Sequence, residues 1–354
     1  MKIEDMLLFK PFMLPHIHLK NRLVMAPCGT NYASDDGFIT PMQIAYYRER
    51  AAGGMGLIMV EATTVNYERR RRDKNCLSIF NDSFLSGLEK LVNGVHQEGA
   101  RIGIQLVDSL VKVAKTPTDL TKQEIYSIIE DFVQAAQRAS RIGFDLIEFH
   151  MAHFYTLADF LSRQTNKRND EFDGSSEGRT KIAEEIITRT RDILGTKVSL
   201  ACRINGDEFV LNGNTLADSL IIAQRLEEYG IDILDISAGG RLEADGSLGY
   251  SFTRCVPGKD QPLATNAYLA AEIKKVIKIP VITAGKLGDP LLAENTLSEG
   301  KADLIALGRS LLADPFFAKK TLEGKWDQIN KCLYCNQCTQ GILEGKPWSC
   351  ILYG

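Results

Sequence analysis

The strongest constraint in the sequence is a strict alternation of short apolar runs with longer amphipathic ones. The apolar runs fall at residues 22–27, 56–62, 101–107, 144–150, 197–203, 231–237, 279–284 and 303–308. Each is rich in Val, Ile or Leu and short enough for a parallel strand buried on both faces. The helical segments are expected at 41–52, 84–99, 122–142, 176–194, 215–229, 265–277, 290–299 and 310–320. Eight strand–helix units joined by right-handed crossovers close naturally into a (β/α)8 TIM barrel of the α/β class. A doubly wound open sheet is the alternative. It needs edge strands with a polar face, and none reads so. The barrel is expected over 1–320, with a short C-terminal extension over 321–354.

That extension carries four of the eight cysteines: Cys332, Cys335, Cys338 and Cys350. No apolar stretch is long enough to span a membrane, and the N-terminus has no signal-peptide pattern. A cytoplasmic chain is expected, in which a cysteine cluster means metal rather than disulfides. The spacing Cys-x2-Cys-x2-Cys-x11-Cys suits a [4Fe–4S] cluster. Structural zinc is the alternative, although zinc sites more often use two separated knuckles. Cys76, Cys202 and Cys255 are expected to be buried and inert. The net charge of −3 argues against nucleic acid as a partner. The single basic run, Arg69-Arg70-Arg71-Arg72, is expected to be a solvated loop, with a site for acidic ligands as the weaker alternative.

In such a barrel the chemistry sits where the strands end. The ends supply Pro27, Cys28 and Gly29, then Glu61-Ala62, Gln105, His150 followed by His153 and Tyr155, Arg203, Ser237-Ala238-Gly239-Gly240, Gly285-Lys286 and Gly308-Arg309. Gly285 and Gly308 let backbone approach an anion, and Lys286 and Arg309 add positive charge. The same residues also fit two ordinary glycine turns. His150, His153 and Tyr155 together suggest a pocket that holds a carbonyl oxygen and supplies a proton. Metal ligation by the two histidines lacks an evident third ligand.

These motifs resemble the old yellow enzyme family. The resemblance rests on His150 to Tyr155, Phe160-Leu-Ser162, Thr165 to Asp170, Gly174 to Arg179, Leu19 to Pro27, Ala302 to Arg309 and Leu312 to Pro315. It spans essentially the whole chain. The nearest subgroup is the iron–sulfur flavoenzymes, such as 2,4-dienoyl-CoA reductase, 2-enoate reductase and trimethylamine dehydrogenase. The resemblance implies FMN on the strand-end face, touched by Pro27, Cys28, Gly29, Ala62 and Gln105. Arg203 would face the flavin N1/O2 edge, and Gly285, Lys286, Gly308 and Arg309 would hold the phosphate. His150 and His153 would polarise the carbonyl of an unsaturated substrate, with Tyr155 as proton donor. It also implies a [4Fe–4S] cluster on Cys332, Cys335, Cys338 and Cys350.

The chain departs from that pattern in several places. Leu106 to Val111 replaces the usual continuation after Gln105, and the segment to Thr121 is short, so a more open pocket is expected. Gly29 stands where relatives carry a side chain that touches the flavin, and Met151 replaces a glycine. No Rossmann-type Gly-x-Gly-x-x-Gly turn is present. The electron donor is therefore expected to be external: NAD(P)H, a ferredoxin or a flavoprotein subunit. A homo-oligomer is compatible with the sequence. The competing readings are an amine-dehydrogenase-like enzyme and an electron-transfer subunit. Trp326 and Trp348, the only tryptophans, lie in the extension and so argue against an aromatic cage for an amine.

Overall fold

The structure, a computed structural model, describes residues 2–71, 74–240 and 250–353. An antiparallel hairpin, β1 (Phe12–Leu14) and β2 (Ile17–Leu19), precedes the parallel strands. The barrel strands are β3 (Leu23–Met25), β4 (Leu57–Thr64), β5 (Arg101–Val107), β6 (Leu146–Met151), β7 (Ser199–Asn205), β8 (Ile233–Ser237), β9 (Val281–Ala284) and β10 (Leu304–Leu307). They pair in chain order, and β10 closes on β3 through Ile305 opposite Leu23, so the eight strands form a closed parallel barrel. The expected (β/α)8 architecture is what the chain adopts.

The barrel interior is filled, not hollow. Val24, Leu57, Met59, Leu146, Ala201, Ile233, Ile282 and Leu304 form one buried cluster. Leu14, Ile17 and Leu19 of the hairpin join it and plug the end opposite the strand ends. The hairpin escaped the sequence reading because each strand is only three residues long, too short for an alternating pattern to show.

The helices start on side chains suited to the task. Thr40 accepts from the Gln43 N–H just before Pro41. Thr121 and Glu124 form a reciprocal capping box, and Asp289 caps the helix Pro290–Ser298. One expected helix differs. The segment 310–320 is two helices, Arg309–Ala313 and Phe317–Leu322. Pro315 cannot continue a helix and holds Asp314 extended. The buried Asp314 carboxylate accepts from Lys320 Nζ at 2.6 Å and from the Asn330 N–H at 2.8 Å. It thereby anchors the chain as it leaves the barrel.

The C-terminal segment packs onto the strand-end face. Asn31 Nδ2 donates to the carbonyls of Lys346 at 2.9 Å and Ile342 at 3.2 Å. The Trp348 N–H donates to Thr30 O at 2.8 Å, and Asn336 Nδ2 donates to Val256 O at 3.0 Å. No helix among the described residues is long and apolar enough to cross a membrane.

Candidate active site

The strand ends open into one cavity. It is lined by Ala26, Pro27, Cys28, Gly29, Ala62, Gln105, His150, His153, Tyr155, Arg203, Gly285, Lys286, Gly308 and Arg309. Every residue singled out from the strand ends for flavin or substrate therefore meets at one place. Ala62 reaches it because the β4 register shifts between Val60 and Thr63, a bulge that re-aims the strand end.

One side of the cavity carries a relay of hydrogen bonds. His150, at the end of β6, is buried, and its Nε2 lies 3.2 Å from His153 Nδ1. His153 Nε2 lies 2.7 Å from Ser237 Oγ at the end of β8, and Arg203 Nη2 donates to that hydroxyl at 3.4 Å. Burial first, then the charges of His153, Arg203 and Arg71, hold His150 well below the usual histidine range, so its ring is neutral. One assignment satisfies the whole chain. Arg203 donates to Ser237, Ser237 to His153, His153 to His150, and Nδ1–H of His150 is left to donate. That nitrogen is buried and has no hydrogen-bond partner among the described residues. Buried polar groups are normally paired, so it calls for an acceptor from a ligand. The Tyr155 ring lies 4.9 Å from the His150 ring. His153 and Phe154 both have positive φ, 62° and 58°. Gly240 pairs with His153 across this turn, and a Cβ there would lie 2.7 Å from His153 Cα. Two consecutive left-handed non-glycine residues are costly and are held here by the packing.

Beneath the relay sit two buried carboxylates and one guanidinium. Gln105 Nε2 donates to Glu148 at 2.7 Å, and Arg203 pairs with Asp235 at 3.2 Å. Burial pushes both carboxyls up, and for Glu148 the charge of Asp235 pushes it further. One arginine cannot neutralise two ionised carboxylates in a dry interior, so the pair retains a proton. The folded state then binds more protons than the unfolded chain above the ordinary carboxylate range. Stability contributed by that proton is present at acid pH and is lost as pH rises through neutrality. Glu148→Gln is expected to flatten this loss, which thermal denaturation across pH will show as a smaller fall in Tm on the alkaline side than in the parent.

The other end of the cavity is cationic. Gly285 has φ +118°, and a Cβ there would lie 3.0 Å from Thr265 and 3.2 Å from Asn266 Nδ2. A Cβ on Gly308 would lie 2.7 Å from Cys28 Sγ. Lys286 Nζ donates to Gly258 O at 2.9 Å, Lys259 O at 3.1 Å and Gln261 O. Its charge holds that loop as well as facing the cavity. Arg309 Nη1 donates to Pro257 O at 2.8 Å and to Asn336. Both cations lie over the Tyr334 ring, at 4.9 and 5.2 Å from its centroid. A cavity lined by alanines and glycines, with positive charge at one end, fits a flavin mononucleotide.

Sequence reasoning missed or misjudged several neighbours. Tyr334, Thr339, Ile342 and Trp348 of the C-terminal segment line the cavity. The argument that both tryptophans lie away from the site is therefore corrected: Trp348 is in its wall. Cys76 and Cys202 are buried as expected, whereas Cys255 is half-buried and faces the cavity. The basic run is not a solvated loop. Arg69 pairs with Asp108 at 2.7 Å and Asp131 at 2.5 Å, Arg70 lies over the Tyr67 ring, and Arg71 lines the cavity. Arg72 lies outside the described residues. Only the position of the run after the second strand pointed to the site.

Cys332, Cys335, Cys338 and Cys350 are all free thiols. Burial pushes the Cys332 thiol up, and that of Cys338 up to about 11. The Tyr334 N–H donates to Cys332 Sγ at 3.4 Å. Yet among the described residues no three His, Cys, Asp or Glu side chains converge on one ion position. The donor chemistry suits a cluster, but the sulfurs in this arrangement do not form a closed cage.

A closed barrel with a cationic slot and a histidine–tyrosine wall at its strand ends offers a seat for an anionic cofactor beside a donor for a carbonyl oxygen. The chain matches the NADH:flavin oxidoreductase / NADH oxidase family over residues 7–116 and 107–328, and it belongs to that family, the old yellow enzymes. It is 37% identical over 350 residues to an NADH oxidase of Thermoanaerobacter brockii, covering 93% of this chain and 52% of that protein. It is 34% identical over 332 residues to the NADPH dehydrogenase of Bacillus subtilis, covering 88% of this chain and 93% of the relative. A solved 2-naphthoyl-CoA reductase, in complex with 2-naphthoyl-CoA, superposes with a TM-score of 0.90 at 26% identity, over 99% of this chain and 57% of that one. The chain thus spans about half the length of the NADH oxidase and somewhat more of that reductase, and nearly all of the shorter dehydrogenase.

Proposed function

We propose that the chain is an FMN-dependent ene-reductase acting on an α,β-unsaturated carbonyl compound, with NAD(P)H or a protein as electron donor. The observation that carries this is the unpartnered Nδ1 of His150 at the end of the relay, beside Tyr155. Pro27, Cys28, Gly29, Ala62 and Gln105 would line the flavin ring, and Arg203 would face its electron-rich edge. Gly285, Lys286, Gly308 and Arg309 would hold the phosphate. FMN supplies two-electron hydride chemistry when bound.

The chain's own groups do the rest. His150 donates to the substrate oxygen, where negative charge grows as the double bond is reduced. His153, Ser237 and Arg203 keep that donor oriented and polarised from behind. Tyr155 gives its hydroxyl proton to the α-carbon and regains one from solvent. The wall from the C-terminal segment limits water. Enone-dependent oxidation of NADPH or NADH by the purified protein tests the reading. Nicotinamide oxidation that is indifferent to every unsaturated carbonyl contradicts it.

We also propose that Cys332, Cys335, Cys338 and Cys350 bind a [4Fe–4S] cluster, supported by their spacing and by the N–H bond to Cys332. Binding would draw the sulfurs together. Protein purified without oxygen is expected to carry about four iron and four sulfide per chain. Cys335→Ser should lose most of both. Zinc in place of iron, or no metal, contradicts the assignment.

A further inference from the structure

The cavity holds a charge that neither the relay nor the phosphate cradle uses. Arg71 enters from the loop after β4 and lies against Gly29. A Cβ on Gly29 would meet Arg71 Nη2 at 2.7 Å and Nη1 at 2.8 Å. The glycine at 29 is thus the space that admits the guanidinium, which explains the departure noted at that position. Arg71 is half-buried, hydrogen-bonded to the Tyr155 side chain and within electrostatic reach of Glu61. Glu61 is bound through one oxygen: its Oε2 accepts from the Thr30 N–H at 2.9 Å, from the Thr30 hydroxyl at 2.5 Å and from Tyr47 at 3.3 Å. No carboxylate lines the cavity among the described residues.

Two Arg71 donors, Nε and Nη2, are buried without a hydrogen-bond partner among the described residues. They are the two parallel N–H groups on one edge of the guanidinium, the pair that grips a carboxylate with two bonds. Two adjacent orphaned donors on a cation are costly unless a ligand supplies the acceptors.

We propose that Arg71 binds a carboxylate of the substrate, one carried in addition to the carbonyl that His150 activates. This rests on the ene-reductase reading and narrows it to unsaturated carbonyl acids. Enoyl thioesters and simple enones lack the group and would bind without using Arg71.

The test compares the monomethyl and dimethyl esters of a short unsaturated diacid as oxidants of the dithionite-reduced holoprotein. Arg71→Gln and Arg71→Lys are measured beside the parent. Arg71→Gln is expected to lower kcat/KM for the monoester by roughly 10- to 100-fold, the range for a charge-assisted pair. The diester should lose much less than the monoester, and Arg71→Lys should recover part of the monoester loss. A second readout needs no turnover: titrating the monoester into oxidised protein should perturb the flavin absorbance in the parent and far less in Arg71→Gln. Equal losses for both esters would overturn the proposal, because Arg71 would then serve the flavin or the fold. Equal use of both esters by the parent would overturn it as well. If no unsaturated carbonyl oxidises the reduced parent, the ene-reductase reading fails, and the spectral titration still decides whether Arg71 binds a carboxylate.

Discussion

Tyr155→Phe is expected to slow reduction of an unsaturated carbonyl by about 100-fold or more while leaving the flavin bound. General acids contribute on the order of 10²- to 10⁴-fold when positioned on the reacting group. Tyr155 is almost fully buried, with its ring packed against His150, so removing its hydroxyl takes away the proton without disturbing the donor to the substrate oxygen. The Tyr155 N–H bonds to Ala152 O and its carbonyl accepts from Asp159, both backbone interactions that phenylalanine keeps. Rapid-mixing of the reduced variant with enone should therefore show slow reoxidation at an unchanged flavin content. Reoxidation at the parent rate would remove Tyr155 from the chemistry.

The second large effect is on stability. Arg203→Met leaves Asp235 buried without the guanidinium 3.2 Å away and takes a donor from Ser237. Breaking one side of a buried pair costs about 3–5 kcal/mol. For a chain of this size that is a fall in Tm of roughly 4–7 °C. The double variant Arg203→Met with Asp235→Leu should recover much of the loss, because the uncompensated carboxylate goes with its partner. Differential scanning calorimetry of the flavin-free proteins separates this from any loss of cofactor. A Tm unchanged by Arg203→Met would mean that Asp235 is already neutral in the parent.

The barrel was legible because buried parallel strands are continuous apolar runs, and β5 and the helix Ser176–Leu194 fall where the pattern puts them. The strand-end residues were legible for the same reason: once the strands are placed, their ends share one face. What the pattern could not show depends on contacts between distant segments. The hairpin β1–β2 is too short to register. The wall formed by Tyr334 and Trp348 depends on how the C-terminal segment folds back, through bonds such as Trp348 to Thr30. Arg71 looked like one charge in a solvated run because local composition carries no record of the space above Gly29. The pairing of Glu148 with Asp235 is invisible in sequence for a like reason, since the two lie on non-adjacent strands β6 and β8.

The central claim is that the relay ending at His150 serves an electron-accepting carbonyl compound. The most direct measurement is an anaerobic titration of the dithionite-reduced holoprotein with unsaturated carbonyl acids, esters and enones, followed by flavin absorbance. One class should restore the oxidised spectrum with one molecule consumed per flavin, and a saturated product should appear. A reduced flavin that no member of the panel reoxidises, together with an oxidised flavin that amines bleach, would contradict it.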